Sequence, residues 1–202
     1  MYSKKEIIVI DFDETLYKKD SLIEFCKFIY LQKPLQIWAV LIQVYASVLY
    51  FFKIINTKRY KELFLYFLHG IPESQVFEYA EKFWNSIENI NFNKRILEIV
   101  NLKEYRIICI SASPELYLKP IMDRFDIEYL GTKITYNNNS YAIAGENCKG
   151  EEKVNRLKEY LKEETIQLEV TYSDSLSDKP LFLLSKKAYL VDKYGEPKLI
   201  TF

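Results

Sequence analysis

Two aspartates stand two positions apart in Asp11-Phe12-Asp13-Glu14-Thr15-Leu16, directly after the apolar run Glu6 to Asp11 (EIIVID). A strand end sends one such side chain forward while a local twist brings in the other, so one carboxylate can attack and the other can move protons. An EF-hand reading fails, because Thr15 and Leu16 fill positions where that loop needs an oxygen ligand and then glycine, and its twelfth position is Leu22. Three further clusters carry chemistry. Ser111-Ala112-Ser113 follows the run Tyr105 to Ile110, Lys149 and Lys153 lie four apart on one helical face, and Asp174 and Asp178 follow Leu168 to Tyr172. Each has a plain structural explanation when taken alone: acids cap turns, and Ser113-Pro114 reads as a helix start. Together they matter, because open parallel sheets bind ligands at the carboxyl ends of their strands.

The positioning elements follow from the pattern. The runs Glu6 to Asp11, Tyr105 to Ile110 and Leu168 to Tyr172 are continuously apolar, as strands covered on both faces must be. Helical spacing marks Asn93 to Lys103, Pro114 to Phe125 and Gly150 to Glu164, and strands alternating with helices predict an α/β layered fold. Lys133 to Tyr136 and Tyr141 to Ala144, flanking Asn137 to Ser140, predict a hairpin. Residues 21–91 form a helical, aromatic-rich insertion between the first two core strands.

Inside that insertion, Pro34 to Phe52 carries no charge, and at about 1.5 Å per residue it nearly crosses a hydrocarbon layer of roughly 30 Å. One crossing would part Asp11 from Ser111 and Asp174, and the segment is too short for two. If those residues share a site, no transmembrane span is expected. A buried cap helix, a hairpin lying in the membrane interface and a partner-binding face stay open. Lys53, Lys58, Arg59 and Lys61 suit an anionic surface or a merely solvated helix face.

The chain has 202 residues, enough for one core plus a small insert. Its 28 basic and 28 acidic residues cancel, which leaves no excess to neutralise a nucleic acid backbone. Three cysteines without C-x-x-C spacing suggest neither a disulfide framework nor a zinc knuckle. The start MYSKKEIIVIDFDE resembles no secretory signal, so a cytoplasmic protein, with or without membrane association, is expected.

D-F-D-E-T-L, then I-S-A-S, then a lysine-bearing helix, then Y-S-D-S-L-S-D-K-P resemble the four motifs of the haloacid dehalogenase (HAD) superfamily of phosphohydrolases, in order and spacing over nearly the whole chain. The insertion after the first motif resembles the helical C1-type cap of the phosphoserine-phosphatase-like branch, subfamily IB. N-C-K-G-E-E-K-V and Y-S-D-S-x-x-D-x-P-L resemble the group that includes class C phosphatidylglycerophosphatases.

The resemblance implies a Rossmann-like parallel sheet core over residues 1–20 and 92–202, with a helical cap over 21–91. It implies a Mg²⁺-dependent phosphatase that hydrolyses a small-molecule or lipid-like phosphomonoester through an aspartyl-phosphate. Asp11 would be the nucleophile and Asp13 the general acid/base. Asp11, the Asp13 backbone carbonyl and Asp174 would hold Mg²⁺, with Asp178 orienting a metal-bound water or the lysine. Ser111 and the Ala112 N–H would bind the phosphoryl oxygens at a helix N-terminus. Lys149 fits the K-G-E order of phosphoserine phosphatases and Lys153 the C-x-G-x-x-K pattern of the broader branch; Lys153 is preferred.

Glu14 and Ser173 stand where many members carry glycine. His69 and Cys148 read as structural. Two other functions use the same features: a weakly catalytic docking module built on the apolar insertion, and a phosphotransferase of the same superfamily.

Overall fold

All four residues of β1 (Ile7–Ile10) are buried, which is why the run is continuously apolar instead of alternating. The computed structural model describes residues 6–202. The first five residues, counted in the expected core and in the reading of the N-terminus, lie outside the described residues. β1 sits between β2 (Arg106–Pro114) and β6 (Leu168–Ser173), parallel to both. The sheet extends to β3 (Glu128–Thr132) beyond β2, and to β7 (Ser185–Val191) and then an antiparallel β8 (Pro197–Ile200) beyond β6. A separate hairpin pairs β4 (Ile134–Asn137) with β5 (Ser140–Ile143) through Asn138 and Asn139, both at positive φ. That is the two-residue turn whose backbone twist suits a hairpin.

The insertion folds as α1 (Ser21–Gln32), a 3₁₀ turn (Pro34–Trp38), α2 (Ala39–Phe51), α3 (Thr57–Phe64), a second 3₁₀ turn (Leu65–Leu68) and α4 (Glu73–Ser86). Asp20 and Asn56 start α1 and α3 by accepting the backbone N–H three residues on. α1 buries Leu22, Phe25, Cys26 and Ile29, one helical stripe, against the core. Trp84 of α4 packs edge-on against Phe12 and Tyr17, with ring centroids 5.6 and 5.4 Å apart, and its indole N–H donates to the Tyr117 carbonyl at 2.6 Å. The inner helices of the insertion therefore share one hydrophobic cluster with the sheet.

α2 has the opposite polarity from an ordinary surface helix. It buries only Ala39, Gln43 and Ala46. Gln43 accepts from the Tyr30 hydroxyl at 2.9 Å and donates to the Phe64 carbonyl at 3.0 Å. Leu41, Val44, Tyr45, Val48 and Phe51, at helical spacing, all face solvent. Of the three readings of this segment, a buried cap helix is excluded. A single crossing by α2 is excluded too, because Ile10 before it and Cys109 after it are neighbours in the sheet.

The core helices are α5 (Lys94–Val100), α6 (Glu115–Phe125), α7 (Glu151–Leu161) and the short α8 (Lys179–Phe182). Strand parity decides what they meet. Ile8, Ile10 and Phe12 join the cluster of α1, α4 and α6, whereas Ile7 and Val9 join Val154 and Leu157 of α7. Asp11 continues the second series and thus turns towards α7, the helix that carries Lys153. The expected strands correspond to β1, β2 and β6. β3, β7 and β8 lacked a comparable signal: β7 has Lys186 and Lys187 exposed in mid-strand, and β3 is five residues long with a glycine.

Candidate active site

Asp11 leaves β1 with its backbone N–H donated to the Tyr172 carbonyl at 2.9 Å, which fixes it between β2 and β6. Its Oδ1 accepts the Phe12 N–H at 2.8 Å and lies 3.0 Å from the Lys153 ammonium. Burial pushes the Asp11 carboxyl above its usual range; Lys153 pulls it down and the nearby charge of Asp178 adds to the rise.

Asp13 is held from two elements. Oδ1 accepts the Ser21 N–H at 2.7 Å, at the start of α1, and Oδ2 accepts the Ser113 hydroxyl from the end of β2. Burial raises its pKa to about 6, against the two serine hydrogen bonds. Glu14 next to it takes φ 57°, a left-handed conformation in which the glycine of related sequences would be less strained.

Asp178 is buried, and its Oδ2 accepts from Lys153 at 2.6 Å and from the Ser173 hydroxyl at 2.7 Å. Its Oδ1 is buried with no hydrogen-bond partner among the described residues. The Ser173 hydroxyl has one proton and sits 3.3 Å from Asp11 Oδ2, so Asp178 takes that proton and Asp11 is the weaker alternative. Ser173 thus organises the site at a position where glycine could not. Asp174 donates its N–H to Thr15 Oγ1 at 2.9 Å. Its carboxyl is pushed up to about 7 by burial, then by the charges of Asp11 and Glu14. Lys153 is almost wholly buried; burial works against its charge, yet Asp11 and Asp178 hold its pKa above the ordinary lysine value. Lys149 does not share a helical face with it as expected: it precedes α7, which begins at Glu151, and is exposed at the cavity rim.

One expectation needs correction. Ser111 and Ala112 are not at a helix N-terminus, because β2 runs on to Pro114 and α6 begins at Glu115 without a side-chain cap. Ser111 is a buried strand residue whose hydroxyl accepts the Ser113 N–H at 3.0 Å. β3 passes close to this strand end at Gly131: a Cβ there would stand 2.8 Å from the Ser113 carbonyl oxygen.

All of these residues, from Asp11 and Asp13 through Ser111, Ala112, Lys149 and Lys153 to Asp174 and Asp178, line one cavity of about 400 Å³. Its outer wall comes from the insertion: Leu22, Tyr50, Thr57, Tyr60 and Lys61. Lys61 is one of the cations expected to face an anionic surface or solvent. It turns inward, donating to the Ala112 carbonyl at 2.7 Å and to Asn147 Oδ1 at 2.8 Å. Burial lowers its pKa to about 8, with Asp13 and Asp20 partly offsetting that effect. The positioning roles of Ser113, Ser173, Thr15 and Asn147 were not assigned from the sequence; each holds a charged residue of the site through a contact that no spacing shows. Cys148 is buried, and burial takes its thiol to about 12, which leaves it inert as a nucleophile. His69 Nδ1 bonds Ser140 at 2.9 Å and its ring stacks on Tyr66, a link between the insertion and the hairpin.

The arrangement can attack an electrophile with one carboxylate, move a proton with a second, and neutralise an anion with two ammonium groups. Solved structures share the fold at low identity. A protein of unknown function from Bordetella pertussis Tohama I aligns with TM-score 0.77 and 19% identity, over 93% of this chain and 90% of that one. A phosphoserine phosphohydrolase-like protein from Francisella tularensis aligns with TM-score 0.59 and 19% identity, over 92% and 86%. A phosphoserine phosphatase bearing a phospho-aspartyl intermediate analogue aligns with TM-score 0.58 and 14% identity, over 93% and 87%. No curated protein matches the sequence. The haloacid dehalogenase-like hydrolase family model matches residues 8–183, from the strand that delivers Asp11 to the end of the helix after Asp178. On that match the chain belongs to the haloacid dehalogenase-like hydrolases.

Proposed function

We propose that the chain is a Mg²⁺-dependent phosphatase that hydrolyses a phosphomonoester through an aspartyl-phosphate on Asp11. The observation that carries this reading is the meeting of Asp11, Asp13, Lys153 and Asp174 on one cavity from three separate parts of the chain. Asp11 Oδ2, the less engaged oxygen, attacks phosphorus, and the bond from phosphorus to the ester oxygen breaks. Asp13 gives its proton to the departing alkoxide; a carboxyl with pKa about 6 retains that proton near neutral pH far better than an ordinary aspartate does. Asp13 then takes a proton from water as the water attacks phosphorus, the Asp11–phosphorus bond breaks and inorganic phosphate leaves. Ser111, the Ala112 N–H and Lys153 hold the phosphoryl oxygens.

The donor set fits a hard cation. Asp178 Oδ1 is a buried carboxylate oxygen without a partner among the described residues, and Asp174 is raised partly because it faces Asp11. Among the described residues no three His, Cys, Asp or Glu side chains form a ready cage. A cation would rest on Asp11, the Asp13 carbonyl and Asp174, with Asp178 reached through water, the sparse protein coordination Mg²⁺ accepts. When bound, Mg²⁺ supplies the positive charge that lets a dianionic phosphate approach a carboxylate.

Residues 21–91 act in this reading as a cap over the core of residues 1–20 and 92–202. Tyr50, Tyr60 and Leu22 suit a substrate with an apolar portion beyond the phosphate. The test is hydrolysis of 4-nitrophenyl phosphate: turnover with Mg²⁺, stopped by EDTA and restored by added Mg²⁺, is expected. No turnover on it or on a broad phosphomonoester panel would sink the reading.

Lys61 gives a second expected result. Removing its charge in Lys61→Met should raise KM about 10- to 100-fold with kcat changed much less, the size of a hydrogen bond to a charged group. The wild-type KM should rise as pH passes about 8, where Lys61 loses its proton, and Lys61→Met should show no such rise. An unchanged KM in the variant would remove Lys61 from the phosphate site.

A further inference from the structure

We infer that the outer face of the insertion is a docking surface for an anionic lipid bilayer, with α2 lying flat in the headgroup region. This does not rest on the catalytic reading. A helix on a soluble surface turns its apolar stripe inward, whereas α2 turns Gln43 inward and satisfies its amide with the Tyr30 hydroxyl and the Phe64 carbonyl. The apolar stripe Leu41, Val44, Tyr45, Val48 and Phe51 is left outside, with Leu41 75% and Phe51 79% exposed. The preceding turn adds Leu35, 90% exposed, and Trp38. So large a continuous apolar surface is unusual on a protein that lives only in water.

Charge chooses among the occupants. The uncharged span Pro34 to Phe52 is bracketed by Lys33 and Lys53, and no Asp or Glu occurs from Phe25 to Lys61. Lysines at such ends lay their stems along apolar surface and lift the ammonium to anionic headgroups, and Trp38 and Tyr45 suit the same interface. Lys58 and Arg59 are partly used within the protein, by Glu146 and Glu62, so Lys33 and Lys53 carry the argument. A second copy of the chain fits less well. Pairing two such spans sets a lysine end against a lysine end whether they run parallel or antiparallel. Because the sheet forbids a crossing, the surface lies on the bilayer and does not span it. Tyr50 belongs to both α2 and the cavity wall, so a docked molecule holds the rim of its cavity at the lipid surface.

The test is flotation of the full chain with phosphatidylcholine vesicles, with and without one-third phosphatidylglycerol, together with tryptophan emission. Trp84 is buried in the core and Trp38 is exposed, so a blue shift on adding vesicles reports on Trp38, and Trp38→Phe should abolish it. Co-flotation is expected with the anionic vesicles, falling at least tenfold in Leu41→Glu/Val48→Glu and several-fold in Lys33→Gln/Lys53→Gln, with circular dichroism and thermal unfolding unchanged. High salt should weaken it. Failure to float with anionic vesicles, or equal flotation with neutral ones, overturns the proposal. A concentration-dependent dimer in sedimentation velocity that Leu41→Glu/Val48→Glu dissolves, with no flotation, would assign the face to a second copy instead.

Discussion

Asp11→Asn is expected to leave the fold intact and to lower phosphomonoester hydrolysis by about 10⁴-fold or more, the scale on which loss of a covalent nucleophile is felt. The amide is isosteric and its carbonyl oxygen can still accept the Phe12 N–H that Oδ1 accepts now. What it lacks is a carboxylate lone pair that can form an acyl phosphate. The matching readout is covalent: brief incubation with ³²P-labelled substrate should leave label on the wild type that neutral hydroxylamine removes, and none on the variant. Substantial turnover by Asp11→Asn, or label that hydroxylamine cannot remove, would end the nucleophile assignment.

Lys153→Met has the other large effect, and it acts on stability as well as rate. The ammonium sits between two buried carboxylates, 3.0 Å from Asp11 and 2.6 Å from Asp178. Removing it leaves both acids without their counter-charge, a change that costs about 3–5 kcal/mol where a buried pair is broken on one side. Activity should fall about 10³-fold, because the same group faces the phosphoryl oxygens. The sign with pH is fixed by the raised pKa: the ammonium's contribution is complete below the ordinary lysine value of about 10.4 and fades only as pH rises through the elevated one. Unfolding in urea at pH 7 therefore reads the whole effect. Lys149→Met is the control, exposed at the rim, and should change stability by less than about 0.5 kcal/mol and activity by a few-fold. If the two variants exchange behaviour, the lysine has been misassigned.

How much of this could be read from residue order alone depends on whether the signal was local. β1, β2 and β6 announce themselves because both faces are covered, and the acids and serines at their ends follow from that. The preference for Lys153 over Lys149 rests on residue order alone; that parity along β1 turns Asp11 towards α7, 3.0 Å from Lys153, is a tertiary feature no spacing shows. Lys61 could not be chosen from its run of cations, since its partners, Ala112 and Asn147, lie 51 and 86 residues away. Ser173 looked like a lost glycine; only its neighbours show a hydroxyl shared between two carboxylates. The polarity of α2 was hidden for the opposite reason. An uncharged stretch says nothing about which way Gln43, near its middle, points.

The packing of Trp84 between Phe12, Tyr17 and Tyr117 bears on how the chain can be cut and how it can move. A minimal catalytic fragment made by joining residue 20 to residue 92 would leave a hole where Phe25, Phe83 and Trp84 now sit, and such a fragment should be a poor folder. Shortening is tolerable only farther out, in the α2 and α3 arm. Any opening of the cavity would likewise fall to that outer arm, since swinging α1 and α4 would tear apart the interior they complete.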